Sequence, residues 1–329
     1  MRNHHSQSSE NSRLPGSSVF SRREFLAGCA GAVLASPLFG AEPGGTADER
    51  IIDIHQHTNY SGRTDEQLVR HQKILGVTTT VLLPAGSKYG LAAGCGGNET
   101  VVNLARNQPG NYLYFANEVA DLPGAREEIG KYLRAGAIGI GEQKFDVACD
   151  SIHIERLAEL AQDHGVPVLM HFQHKTYNTG LERFYRILEK FPKVNFIGHA
   201  QTWWGHIDAK HESAVLYPEN PVTPGGITDR LLSDYPNMFG DLSAGSGLNS
   251  MLRDKDHARG FLERHQDQLM FGSDCNDTLG QGTGCQGARI LAAIRELAPN
   301  RAALRKILYN NAAGVLEISK TPAVVPTGN

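Results

Sequence analysis

Charge of one sign is what this 329-residue chain lacks first: 32 Lys and Arg stand against 35 Asp and Glu, for a formal net charge of -3. Such a balance gives no general attraction to phosphate backbones or anionic lipid, and no local basic run supplies one. Nucleic acid is therefore not an expected partner. Long apolar runs are missing too, since the run from Phe25 to Phe39 falls short of the ~20 residues that a membrane-spanning helix needs. Cysteine is sparse, five residues with no C-x-x-C pair, so spacing gives little sign of a structural zinc. No internal repeat is visible, which argues against solenoids and propellers. What is there, 40% hydrophobic and 20% charged residues with 36 Gly and 15 Pro, suits one large globular domain with a sizeable core.

The first 41 residues read as a leader: polar and basic to Arg23, apolar from Phe25 to Phe39, then a Pro/Gly linker over 42–49. Ser21-Arg22-Arg23-Glu24-Phe25-Leu26 resembles the twin-arginine signal, which implies that the export machinery of that route is a partner and that the folded protein is delivered to the periplasm or beyond. Leu26-Ala27-Gly28-Cys29 looks like a lipoprotein box but lies too close to the arginines to leave an apolar region before it. Removing the leader takes away four Arg and two Glu and moves the net charge from -3 to -5. Cys95, Cys149, Cys275 and Cys285 stay, and in an oxidising compartment Cys275 and Cys285 could close a short loop.

From Arg50 onward, short Val/Ile/Phe-rich runs alternate with amphipathic stretches, as parallel strands and crossover helices do. Eight strands are predicted: Ile51 to His55, Thr78 to Leu83, Tyr112 to Asn117, Ala137 to Glu142, Pro167 to His171, Val194 to His199, Met238 to Leu242 and Leu269 to Asp274. Helices are predicted over Asp65 to Leu75, Ile152 to His164, Leu181 to Phe191 and Arg301 to Leu308. Their spacing fits a single α/β (β/α)8 TIM barrel over 50–319, followed by a flexible tail at 320–329. A doubly wound open sheet is the alternative, but no Gly-rich phosphate loop follows the first strand. His55-Gln56-His57 stands there instead.

Barrel chemistry gathers at the carboxyl ends of the strands. Strand one ends in His55 and His57, which share a face by alternation; strands five and six end in His171 and His199, and strand eight in Asp274. Chance alone gives about 0.6 His-x-His pairs in such a chain, so the position of this one carries the information. Imidazoles and a carboxylate delivered to one rim need a partner, and a divalent cation supplies it. On strand four, Glu142 and Lys144 fall on one face.

The motifs His55-Gln56-His57, His171, Gly198-His199 and Gly272-Ser273-Asp274 resemble those of the metal-dependent amidohydrolase superfamily, in its amidohydrolase-related branch with decarboxylases and pyrone-dicarboxylate lactonases. The resemblance spans about residues 50 to 317. It implies metal ligation by His55, His57, His171 and Asp274, with His199 a second-metal ligand or a catalytic residue. A bridging carboxylate on strand four, here Glu142 or a carboxylated Lys144, marks binuclear members. One or two ions, zinc before manganese or iron, are implied, with Asp274 and His199 catalytic.

Lys144, His174, Trp203 and Trp204 are candidates for contact with a small-molecule substrate. Metal-dependent hydrolysis of an ester, lactone, amide or phosphoester is the leading expectation. A decarboxylase of the same branch ranks below it, because Arg63 is the one arginine in the loops after strands one, four, five, six and eight; Lys88 and Lys144 keep that alternative open. A non-catalytic envelope binding protein comes third, and a homo-oligomer is compatible with each.

Overall fold

The computed structural model describes residues 49–86 and 94–318; the leader, most of the linker, Lys88 and the tail lie outside the described residues. Eight strands follow in chain order: β1 (Ile52–Gln56), β2 (Thr79–Leu82), β3 (Tyr112–Tyr114), β4 (Ile140–Gln143), β5 (Val168–His171), β6 (Phe196–His199), β7 (Met238–Asp241) and β8 (Leu269–Met270). They pair in parallel as β1-β2-β3 and β4-β5-β6-β7-β8. Isolated hydrogen bonds join the two sheets into a ring. Ala116 bridges Ile140 in parallel, Ile54 N–H donates to the Phe271 carbonyl at 3.1 Å, and Asp274 N–H donates to that of His55 at 2.9 Å. The result is the expected TIM barrel.

Helices follow each strand: α1 (Asp65–Leu75), α2 (Asn98–Asn107), α3 (Ala125–Arg134), α4 (Ile152–His164), α5 (Tyr185–Lys190), α6 (Gln201–Gly205), α7 (Ile227–Asp234), α8 (Ala244–Leu252), α9 (Lys255–Arg264), α10 (Gln286–Leu297), α11 (Arg301–Arg305) and α12 (Asn311–Val315). Local chemistry sets their ends. Thr64 and Gln67 form a reciprocal capping box at the start of α1, and Gly76 ends it in the left-handed region. The helix predicted from Leu181 divides into a tight turn, Leu181–Arg183, and α5, while the one predicted from Arg301 continues through a wide turn into α12.

Alternation along the strands divides the core in two. Leu82, Val168, Met170, Phe196, Met238 and Leu269 pack outward with the helices. Ile52, Ile54, Val81, Leu83, Phe115, Leu169, Ile197 and Met270 form a second cluster within the ring, and Ala312 and Leu316 from α12 and its end close it from below. On β5, β6 and β7 the next inward position after the apolar one is polar: His171 after Leu169, His199 after Ile197, Asp241 after Phe239.

β1 and β4 reach the same result by slipping register. Asp53 pairs with Thr80 but Gln56 with Leu82, and Ile140 pairs with Val168 but Gln143 with Met170, so each strand carries one extra residue. Such a bulge swaps the face that later side chains use. It lets both Ile52/Ile54 and His55/His57 serve the barrel interior. In β4 the slip depends on Gly141, at φ 137°, where a Cβ would sit 2.8 Å from the Leu169 carbonyl oxygen. β8 is shorter than predicted because the chain beyond Met270 leaves the β7 ladder and bonds to β1 and to Ile307.

Because α12 seals the end opposite the polar rim, truncation there separates stability from chemistry. Leu316→Ala is expected to cost about 2–5 kcal/mol in denaturant unfolding while leaving bound metal per chain unchanged.

Candidate metal centre

Six side chains from five segments meet where the strands end: His55, His57, Glu142, His171, His199 and Asp274. Their positioning groups are visible. Asp241 Oδ2 lies 2.6 Å from His55 Nδ1 and 3.1 Å from His199 Nδ1, and Ser243 Oγ donates to the same oxygen at 2.8 Å. His57 Nδ1 donates to the Leu83 carbonyl at 2.8 Å. With acceptors at Nδ1, the neutral imidazoles of His55 and His57 carry their hydrogen there, so both Nε2 lone pairs face one another at 3.2 Å.

Two carboxylates close the same space. Glu142 Oε2 is 3.7 Å from His55 Nε2 and 3.6 Å from His57 Nε2, and Asp274 Oδ1 is 3.8 and 3.5 Å from them. Glu142 Oε1 turns the other way, to His171 Nδ1 at 2.5 Å and His199 Nε2 at 3.7 Å. His171 Nε2 faces Gln173 Oε1 at 3.2 Å, so a neutral ring has one N–H for two acceptors. Asp274 Oδ1 is buried without a hydrogen-bond partner. Lone pairs opposed in this way cost free energy unless a cation lies between them, and the nitrogen and carboxylate donors are those that zinc and similar ions take. The residues fit the metal that the sequence motifs imply.

Titration follows the same logic. Burial opposes a charged His55, yet Asp274 and Asp241 hold its pKa well above the usual range. Burial pushes His171 down to about 4, against Glu142, which pulls it upward. Glu142 and Asp274, despite burial, are held low, Glu142 chiefly by Lys144 and His171, Asp274 by His55 and His57. Without metal, a proton on His55 stands in for the cation.

Glu142, rather than Lys144, occupies the space between the imidazoles. Lys144 is half-buried beside it; burial opposes its charge, but Glu142 and Asp274 raise its pKa, and the ammonium lies 5.8 Å from the Tyr177 ring. His174 is half-buried and within electrostatic reach of His206 and His211. Trp203 and Trp204, predicted to wall the substrate, are core residues instead: α6 turns them inward, 0% and 2% exposed, Trp203 stacked on Phe172 and Trp204 against Phe261. The chemistry of Trp204 is indirect, because its Nε1 donates to the Asp241 carbonyl at 2.8 Å. Arg63 is buried and commits its guanidinium to Gln56 and to the carbonyls of His57, Cys275 and Asp277.

Reading strand ends missed Asp241 and Tyr60. Asp241 ends the run Met-Phe-Gly-Asp on β7 as Asp274 ends Met-Phe-Gly-Ser-Asp after β8, so the signal was present. Tyr60 lies within electrostatic reach of Asp274, and its ring meets that of His57 edge-on at 5.1 Å. It lies beyond the strand, where no periodicity points to it.

Residues 52–318 match the amidohydrolase family model. The chain belongs to the amidohydrolase family. No curated protein matches it. Among solved structures it resembles a TIM-barrel protein of Bordetella bronchiseptica (15% identity, TM-score 0.58, 82% of this chain and 99% of that one). It also resembles a protein of Acinetobacter baumannii assigned as a 2-pyrone-4,6-dicarboxylic acid hydrolase (14%, 0.56, 81% and 99%) and a 2,6-dihydroxybenzoate decarboxylase of Rhizobium (12%, 0.54, 82% and 99%). At these identities the likeness shows the shared fold. Among the described residues no helix is long and apolar enough to cross a membrane.

Two outcomes test the centre. Asp241→Asn, which weakens the acceptor for both His55 and His199, is expected to lower metal affinity about 10–100-fold in chelator competition. Since metal must displace the proton that His55 holds, affinity should rise with pH below that residue's raised pKa, by about tenfold per unit from that residue alone. A flat profile would show that His55 is already neutral.

Proposed function

We propose that this protein is a metal-dependent hydrolase of a small-molecule ester, lactone, amide or phosphoester, in which His55, His57, Glu142, His171, His199 and Asp274 would hold two divalent cations. One observation carries the reading: Glu142 offers Oε2 to His55 and His57 and Oε1 to His171 and His199. The histidine-rich donor set favours zinc. Ions bound there supply Lewis acidity, polarising the scissile carbonyl or phosphoryl group and acidifying a water nucleophile.

The chain's own groups supply the rest. Asp274 Oδ1, buried and unpaired, receives the proton of the attacking water and returns it to the leaving group. The charge of Asp274, with burial, pushes the Tyr60 phenol above its usual pKa, so it stays protonated and donates a hydrogen bond to the developing negative oxygen. Lys144, kept cationic beside Glu142, anchors an acidic group on the substrate. Arg63 has no such role, since its donors serve the loop backbone. Export by the twin-arginine route is part of the proposal, supported by the run Ser21 to Leu26.

Elemental analysis of wild type against Glu142→Gln is the direct test, with a loss of one or more ions per chain expected in the variant. Unchanged content would overturn the bridging role and favour a single-ion decarboxylase. In a panel of esters, lactones and phosphotriesters, chelator-sensitive turnover is expected, with kcat about 10²–10⁴-fold lower in Asp274→Asn. Full activity in that variant would rule out the proton role.

A further inference from the structure

A second set of metal donors lies next to the first, on residues that the hydrolytic centre does not use. We propose that His71, Cys275 and Cys285 bind a structural zinc ion that pins the loop after β8 to α1. Cys275 directly follows Asp274, Cys285 caps α10, and His71 projects from α1; all three are at most 2% exposed.

The spacing suits one tetrahedral ion. Zn–S bonds of ~2.3 Å and a Zn–N bond of ~2.05 Å at the tetrahedral angle place sulfurs about 3.8 Å apart and sulfur and nitrogen about 3.6 Å apart. The Cys275 and Cys285 sulfurs are 3.9 Å apart, His71 Nε2 is 3.3 Å from the Cys285 sulfur, and the three donor atoms lie within 4.8 Å of one another. A disulfide would require the sulfurs to close to ~2.05 Å.

The surroundings favour ligated sulfur. Ala288 N–H donates to the Cys285 sulfur at 3.4 Å. Donors aimed at sulfur stabilise the form that binds metal. His71 Nδ1 has no partner, so the sulfur side sets the ring's position. The loop reaches His71 through Gly280, at φ 75°, where a Cβ would sit 2.5 Å from the His71 carbonyl oxygen. Two thiolates neutralise a divalent ion, so the buried cluster carries no net charge. Asp277, two residues beyond Cys275, fixes the loop, its Oδ2 accepting from Leu279 and Gly280 N–H at 2.8 and 2.7 Å. This set escapes motif searching because its ligands come from three separate segments, with no C-x-x-C pair.

The test is to add Co2+ alone to metal-free full-length protein. A thiolate-to-cobalt charge-transfer band in the near ultraviolet is expected, saturating at one equivalent. The histidine-carboxylate centre holds no sulfur and cannot produce it, so the band should survive in Glu142→Gln and disappear in Cys285→Ser with the loss of one ion per chain. Zinc-edge X-ray absorption of the wild type, which needs no variant to fold, should show a Zn–S shell near ~2.3 Å. Absence of both signals, or a Cys275–Cys285 disulfide in protein isolated without reductant, would overturn the proposal whatever becomes of the hydrolytic centre.

Discussion

Two carboxylates and four imidazoles converge in a space almost closed to water, and their mutual repulsion is the constraint that the rest of the barrel answers. Every outward ring nitrogen of His55, His57 and His199 is held by a named acceptor, which turns the remaining lone pairs inward. That arrangement is poor for an empty protein and good for one holding cations. Asp241 is its hinge, because a single carboxylate oxygen orients ligands from β1 and β6 while Trp204 grips its backbone.

The backbone meets the same demand. A regular β1 that buried Ile52 and Ile54 in the barrel would send His55 and His57 outward; the one-residue slip brings them back, and a matching slip in β4 accompanies Glu142. Asp53 steadies the first slip, accepting from His55 N–H at 3.1 Å and Ser273 N–H at 2.9 Å, and so ties β1 to the chain after β8 at the point where the ligands diverge.

Most of the architecture was legible because strand alternation and helix stop signals are local, and ligands at strand ends lie where local patterns end. His55, His57, His171, His199 and Asp274 were singled out in this way and converge in one space, and Glu142 was narrowed to a choice with Lys144. The choice needed the β4 slip, which pattern reading does not see. Trp203 and Trp204 misled because their place in the sequence, just after His199, says nothing about which way α6 faces. The cysteine cluster was hidden because its meaning rests on contacts between distant segments, and the ends of β8 because its last residues bond singly to β1 and Ile307.

The closure of β8 against β1 also fixes when the centre can exist. His55 and His57 emerge among the first residues of the barrel, but Asp274 and the bonds that seat it beside His55 come from its far end. A nascent chain therefore carries an unfinished ligand set through most of its synthesis, and metal capture belongs to the completed polypeptide. Were the chain exported folded, as proposed above, the ion would be chosen by the compartment of synthesis rather than by the one in which the protein works.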